Sequence, residues 1–372
     1  FFKVKALCEA QDVAVFSSNY TLYGDLSQRV MAVIEREWPE VEIYSIDEAF
    51  LDVTSLSSDQ VESFCWQLQK TLLKEIGIPT SIGIGKTKTL AKLANHIAKK
   101  ELKIPVVDIT DKLFWLKDIK VGEVWGVGLQ WHKKLNVHGV FTAFDLAKAN
   151  PHHLKKQFNV VLQRTALELQ GIACAGLEIR HAKKSIMSSK SFGTMLSSYE
   201  PMAEAISAHC ARAYEKLRQE ALLVKSLYVF VQTNRFREDL AQYNQAMVVK
   251  LIHPTDDLRL ITRYAKRILA KLYRQGFHYK KVGVCFEEVA SNAHRQMDLF
   301  HQPTDANLKK TEQLMTVFDA INHKYGRSTI QLAAEGKSKV WGMNAAMRSP
   351  AYTTRWSELP KVKTAIQWPT AG

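Results

Sequence analysis

The sequence predicts an α+β protein of several domains, and three observations carry that reading. Between residues 19 and 108 the two-residue alternation of strands repeatedly gives way to the rhythm of amphipathic helices. Residues 109–182 are mostly helical in pattern. Residues 188–290 run strand, helix, strand, strand, helix, strand, the β-α-β-β-α-β order of a ferredoxin-like sheet backed by two helices. With 372 residues the chain is long enough for about two to three domains with sizeable cores. Its 46% hydrophobic and 24% charged content is that of an ordinary globular protein.

Residues 1–18 are short and mixed, with no core of their own. From Asn19 to Trp38, Leu22, Leu26, Val30, Val33 and Ile34 recur at helical spacing until Pro39 stops them. Ile43 to Val53 alternates on both sides of Asp47 and Glu48, which predicts two short strands joined by a tight turn. Asp59 to Ile76 places Val61, Phe64, Leu68, Leu72 and Ile76 on one helical face, with Asp59 as the expected N-cap and Gly77 as the stop. Thr80 to Gly85 reads as a buried strand. Thr87 to Lys100 reads as a helix with Leu90, Leu93, Ala94 and Ile97 on its apolar stripe, and Pro105 to Asp108 as a short strand. Helices covering a sheet make a layered domain. Gly83 to Thr89 looks like a phosphate-cradling loop but lacks the Walker spacing.

Within 109–182, Val124-Trp125-Gly126-Val127-Gly128 leads into Leu129 to Leu135 and closes at His138-Gly139-Val140. Glycines at such a turn let the backbone approach a phosphate, and the N–H groups that open the next helix point at it. Contacts of that kind position a duplex without reading its sequence. The plain alternative is an αα-hairpin with glycine in its turn. His181 to Ser185 is polar, basic and aperiodic, so 183–187 reads as an interdomain connector. Strands follow at Ser188–Met195, Val224–Gln232, Tyr243–His253 and Tyr279–Glu287, with helices at Pro201–Ala221 and Asp257–Arg274. The basic residues of the second helix (Arg259, Arg263, Lys266, Arg267, Lys271, Arg274) suggest a DNA site, against the favoured plain reading of a solvated face behind the sheet. After residue 290 one more helix, Leu308 to Asn322, precedes an irregular tail.

Lys and Arg number 51 against 37 Asp and Glu, a formal charge of +14 that favours a polyanionic partner, nucleic acid more than a membrane surface. No apolar run approaches the roughly 20 residues of a membrane span. Cys8, Cys65, Cys174, Cys210 and Cys285 form no CxxC pair, which points to a reducing, cytoplasmic setting. The chemistry concentrates at Asp47 and Glu48. Adjacent carboxylates repel each other unless a cation sits between them, and a hard ion such as Mg²⁺ is typically held by one or two carboxylates plus substrate phosphates. The expected site is therefore a Mg²⁺ centre for phosphoryl transfer, against the alternative of a solvated acidic turn.

Tyr44-Ser45-Ile46-Asp47-Glu48-Ala49-Phe50-Leu51-Asp52 closely resembles the palm signature of the Y-family translesion DNA polymerases, in particular the UmuC-type subunits of the bacterial SOS polymerase. The resemblance implies that Asp47 and Glu48 are catalytic metal ligands. Thr89 to Lys99 resembles the helix whose last lysine contacts the incoming triphosphate, which implies that role for Lys99. The glycine turn resembles a helix-hairpin-helix in the thumb, with Gly126, Gly128, Lys133 and Lys134 on the primer duplex. Lys190 and Ser191 match the backbone-contacting edge of the little finger. Gln296, Leu299 and Phe300 resemble a sliding-clamp docking peptide, a small hot spot on a tether. Tyr352 to Leu359 resembles the extension that binds a UmuD-type accessory subunit.

Read this way, residues 1–18 are a remnant of the fingers, 19–108 a partial palm, 109–182 the thumb, 188–290 the little finger and 291–372 the clamp motif with the UmuC-type extension. The first palm strand, with a further catalytic Asp, is expected ahead of Phe1. The implied function is error-prone translesion DNA synthesis in the SOS response, on damaged primer-template DNA and dNTP, with a recombinase filament as a further candidate partner. The alternative is a catalytically inactive module that binds damaged DNA, the clamp and the UmuD-type partner. A helix-hairpin-helix glycosylase using Asp145 as its acid is a third reading, and it leaves the carboxylate hairpin unexplained.

Overall fold

The computed structural model describes residues 4–178, 183–294, 305–337, 341–342 and 347–361. The chain divides into two units, Phe1–Arg180 with Met347–Gly372, and His181–Ala346.

In the first unit, α1 (Lys5–Ala10) precedes α2 (Tyr20–Glu37), whose N-cap Asn19 accepts a hydrogen bond from Leu22 N at 3.3 Å. Strands β1 (Val41–Ile43) and β2 (Ala49–Leu51) pair antiparallel, with Glu42 opposite Phe50. Met31, Val33 and Ile34 of α2 pack with Leu68 and Leu72 of α3 (Ser58–Ile76) over the inner faces of these strands. The α3 cap is Ser57, in a capping box with Gln60, so Asp59 lies inside the first turn and is not the cap. Gly77 ends the helix at φ +76°, as its position suggests.

Strands β3 (Ile82–Ile84) and β4 (Val106–Asp108) pair parallel, as a second two-stranded sheet among the described residues. Between them, α4 (Lys88–Ile97) is shorter than its periodicity suggests, because Ala98–Leu102 winds into a π-helical turn. The glycines before it are there for space. A Cβ at Gly83 would lie 2.2 Å from the Ala91 carbonyl oxygen, so the strand can cross the helix this closely only without a side chain. Leu90, Leu93 and Ile97 of α4 share one core with Leu135 of α5 (Leu129–Val137), Leu146 of α6 (Ala143–Lys148), Leu154 of α7 (Pro151–Gln157) and Leu169 of α8 (Val160–Leu169). Burial of that stripe, more than helix propensity, holds these short helices.

The second unit contains β5 (Ser185–Leu196), α9 (Tyr199–Gln219), β6 (Leu222–Thr233), β7 (Asn244–Thr255), α10 (Leu258–Leu272), β8 (Tyr279–Glu287), β9 (Ala290–Ser291) and α11 (Asp305–Tyr325). The long strands lie in the order β5-β8-β6-β7 with every neighbour antiparallel, and β9 pairs with β6. Inward residues of α9 and α10, among them Ile206, Tyr214, Ile261 and Leu269, share one core with Val229 and Val284 of the sheet. Strand β5 starts at Ser185, so three of the five residues of the expected 183–187 connector are strand. Ile186 is buried in the core, and that burial outweighs the polar look of its neighbours.

Both parts of the expected tail are docked. On α9, Arg218 donates to Asp319 of α11 at 2.8 Å and to Asp256 at 2.6 Å, and Tyr214 donates to Asp319 at 2.9 Å. Residues 347–350 return to the first unit: Ser17 N donates to Met347 O at 2.9 Å, and Asn19 Nδ2 donates to Ser349 O at 3.0 Å and Oγ at 3.2 Å. Asn19 therefore caps a helix with one side-chain atom and holds a distant segment with the other.

Asn19→Asp keeps the acceptor that caps α2 but loses the donor. Limited proteolysis is expected to cut 347–361 faster in this variant while helix content measured by circular dichroism is unchanged; equal protection would show that the segment does not depend on Asn19. His209, buried beside Ser188 of β5, has its pKa pushed down from 6.5 to about 3 by burial, with Arg212, Lys190 and Lys281 adding to the effect. Between those values the unfolded chain binds a proton that the folded chain refuses, so this group's contribution falls as pH drops from 6.5 toward 3. In His209→Leu, urea midpoints measured across that window should decline less steeply than in the parent.

Candidate functional site

The β1–β2 turn is closed by two backbone bonds to one acceptor, Tyr44 N at 3.1 Å and Ser45 N at 3.0 Å from Glu48 O. Ser45 Oγ also donates to Asp47 Oδ1 at 2.6 Å, which holds that carboxylate at the exposed tip. The neighbouring Glu48 is partly covered, and Lys92 of α4 donates to its Oε1 at 2.6 Å. An ammonium thus occupies a cation position at one of two adjacent carboxylates.

Three rings steer that lysine. Tyr44, Phe50 and Trp125 lie 5.4–5.7 Å from one another between centroids. Lys92 Nζ stands 5.5 Å from the Tyr44 ring centre and 5.7 Å from that of Trp125. One turn earlier on α4, Lys88 forms a buried ion pair with Glu42 of β1, donates to Gly176 O at 2.6 Å and lies 5.1 Å from the Phe50 ring centre. Glu42 also accepts from Glu178 N at 2.6 Å.

The opening turn of α4 is held by Glu168 of α8, a buried carboxylate. It accepts from Thr89 N at 3.1 Å, Thr89 Oγ1 at 2.5 Å and Ala175 N at 3.1 Å, while the Thr87 hydroxyl donates to the Glu168 carbonyl at 2.9 Å. A negative charge at a helix N-terminus is favoured by the helix dipole.

Of the residues expected from sequence, Asp47 and Glu48 are brought together at this turn. Lys99 is exposed on the π-helical turn, seven residues and about 10 Å along the helix from Lys92. Gly126 takes φ +87° and Gly128 is the N-cap of α5, with Lys133 and Lys134 exposed on that helix. What precedes the glycine turn is a single 3-10 turn, Val121–Glu123. Lys190 and Ser191 are successive residues of β5 in the second unit, on opposite faces of the sheet. Gln296, Leu299 and Phe300 lie outside the described residues. Sequence reading missed Lys88, Lys92, Glu42 and Trp125 as site residues. The available signal was the four-residue spacing of the two lysines, which puts both on one helix face.

Chemically, Asp47 and Glu48 offer hard oxygen donors at an accessible tip, a donor set that suits Mg²⁺ completed by substrate phosphates. No group of three or more His, Cys, Asp or Glu side chains placed to hold a metal occurs among the described residues. No helix among them is long and apolar enough to cross a membrane.

Comparison with known proteins gives consistent likenesses. The family model described as impB/mucB/samB matches residues 1–96, and that of the impB/mucB/samB C-terminal domain matches 183–299. A domain of unknown function, DUF4113, matches 312–362. The chain is 41% identical to Protein UmuC of Salmonella typhimurium, over 98% of this chain and 87% of that protein. It is 26% identical to DNA polymerase IV of Clostridium acetobutylicum, over 86% of this chain and 78% of that one. Among solved structures, a Dbh–Dpo4–Dbh chimera of Y-family DNA polymerases superimposes with a TM-score of 0.59 at 19% identity, covering 74% of this chain and 78% of its own. At that identity the likeness shows the fold, an α+β arrangement of the Y-family type.

The two lysines of α4 should separate by stability. Lys88→Met leaves Glu42 buried without its partner and is expected to cost about 3–5 kcal/mol. Lys92→Met breaks a partly exposed pair and is expected to cost less than about 1 kcal/mol. Urea denaturation of both variants measures the difference, and equal losses would contradict the assignment of Lys88 as the buried anchor.

Proposed function

The chain belongs to the impB/mucB/samB family of Y-family DNA polymerases, and we propose that its error-prone translesion synthesis in the SOS response is carried out at the Asp47–Glu48 turn. The observation that carries this reading is the pairing of adjacent carboxylates with a lysine from α4, in a chain 41% identical to UmuC over nearly its whole length. Asp47 and Glu48 would hold a Mg²⁺ ion together with oxygens of the incoming nucleotide. In the two-metal scheme, ions held there would supply charge neutralisation on the transferring phosphoryl group.

The protein's own groups supply positioning and charge. The Ser45 hydroxyl fixes Asp47 in the turn, and Lys92 sets the direction of Glu48. Lys99, farther along the same helix direction, would meet the triphosphate of a dNTP as a point charge. The turn Gly126–Gly128 with Lys133 and Lys134 would grip the backbone of the primer duplex, and Lys190 with Ser191 would contact it from the second unit. Gln296, Leu299 and Phe300 would dock on the sliding clamp, and Tyr352 to Leu359 on a UmuD-type subunit, with a recombinase filament as a further partner in a cytoplasmic assembly.

Primer extension past an abasic site, in Mg²⁺, tests the proposal. Asp47→Ala should abolish nucleotide addition, a drop of at least about 10³-fold for a group acting on the transition state, while primer-template binding stays within about twofold. Equal loss of binding and synthesis would remove Asp47 from the chemistry. Tight binding by the parent chain with no addition would favour the alternative, a module that engages damaged DNA without catalysing synthesis.

A further inference from the structure

The helix-covered side of the second unit carries a feature that polymerase chemistry leaves unused. Helix α10 contains five basic residues and no acidic one. Arg259, Arg263, Arg267 and Lys271 follow one another at four-residue intervals, so like charges sit above one another along one face. That spacing destabilises a helix. Arg259 is neutralised by Asp257, but among the described residues Arg263, Lys266, Arg267 and Lys271 form no ion pair. On a merely solvated face, acidic residues at the same spacing would relieve the repulsion, and here there are none.

Arg259, Arg263, Lys266 and Arg267, but not Lys271, edge a shallow, open groove of about 460 Å³ that is also lined by Leu332 and Ala334, from the stretch that matches the domain of unknown function. Ala270, the buried Thr262 and Tyr199 complete its lining. The Tyr199 ring is packed edge-on against Tyr273 at 5.6 Å and its hydroxyl donates to Lys266 O at 3.2 Å. That ring is thus committed to the fold. Sites for single-stranded nucleic acid pair their cations with free aromatic faces for the bases. Leu332 also packs on the core but is only half-buried, so the groove offers a cationic edge and a partly exposed aliphatic wall instead.

We propose that the groove between α10 and residues 332–334 is a docking site for an acidic, amphipathic segment of a partner protein. Carboxylates of the segment would meet Arg263, Lys266 and Arg267, and its apolar side chains would lie against Leu332 and Ala334. Charge complementarity sets orientation and speeds encounter, while the aliphatic contact separates such a segment from any other polyanion. The assignment gives part of the DUF4113 stretch a role as one wall of a binding groove.

Fluorescence anisotropy with the full chain tests this, using a labelled short peptide of alternating glutamate and leucine, an all-glutamate peptide and a single-stranded oligonucleotide. The glutamate–leucine peptide should bind saturably, and the double variant R263E/R267E should weaken it by about tenfold or more, whereas K324E on α11 should not. Leu332→Ala should weaken the glutamate–leucine peptide and leave the all-glutamate peptide unchanged. Both arginines are exposed, so their variants are expected to fold; the unfolding midpoint of each variant confirms it. Three results would overturn the proposal: no binding of the peptide, equal binding by R263E/R267E, or a tenfold loss in that variant confined to the oligonucleotide, which would make the groove a nucleic-acid site.

Discussion

A carboxylate shielded from water sets the geometry of the first unit. Glu168 is buried, and desolvating a charged group is costly unless its lone pairs are satisfied. Its donors come from the first turn of α4 and from the chain just past α8, so satisfying it forces those two pieces of backbone together. The pair Lys88–Glu42 repeats the logic one layer away, joining α4 to β1 and to residues 176–178. Removal of any partner leaves charge stranded in a low-dielectric setting, which makes the arrangement close to all-or-none.

The candidate site depends on that clamp. Because α4 is held at its N-terminus, Lys92 emerges beside the β1–β2 turn at a defined height, and the ring cluster of Tyr44, Phe50 and Trp125 limits where its ammonium can go. The absence of a side chain at Gly83 lets β3 approach the same helix from the other side. In the proposed phosphoryl transfer, where positioning and electrostatics supply most of the catalysis, such rigidity would be useful. The exposed Asp47 and the half-covered Glu48 each have one oxygen engaged, by Ser45 and by Lys92 respectively.

The second unit solves a different problem. A long antiparallel sheet with both helices on one face packs on a large aliphatic and aromatic core that also takes in Ser207, His209, Ser226 and Thr262. Its charged groups are therefore free to serve recognition. Arg218 spends its charge internally, holding α11 to the helix layer through Asp319, whereas Arg263, Lys266 and Arg267 of α10 form no ion pair among the described residues and line a groove. The C-terminal stretch takes part in both units by separate contacts, α11 and Leu332 in the second and residues 347–350 in the first.

Much of this was legible in the amino-acid order. Helix and strand periods located the elements of 19–108 and 185–287 within a few residues, since burial of one face imposes that period directly, but α1, α6, α7, α8 and β9 were not placed individually; the palm-like signature around Asp47 and Glu48 pointed to the family. The errors were local. Ser57 took the cap expected of Asp59, a π-helical turn shortened α4, and burial of Ile186 drew a polar connector into β5. What the sequence by itself determined was the class of each element, the carboxylate pair and the basic excess. Tertiary structure alone decided that Lys92 is the lysine at Glu48, that Trp125 shelters it, that Asn19 holds a segment more than three hundred residues away and that the α10 charges edge a groove. Those pairings join residues far apart in the chain, and only packing and the satisfaction of buried charge, neither of which has a period along the sequence, bring them into contact.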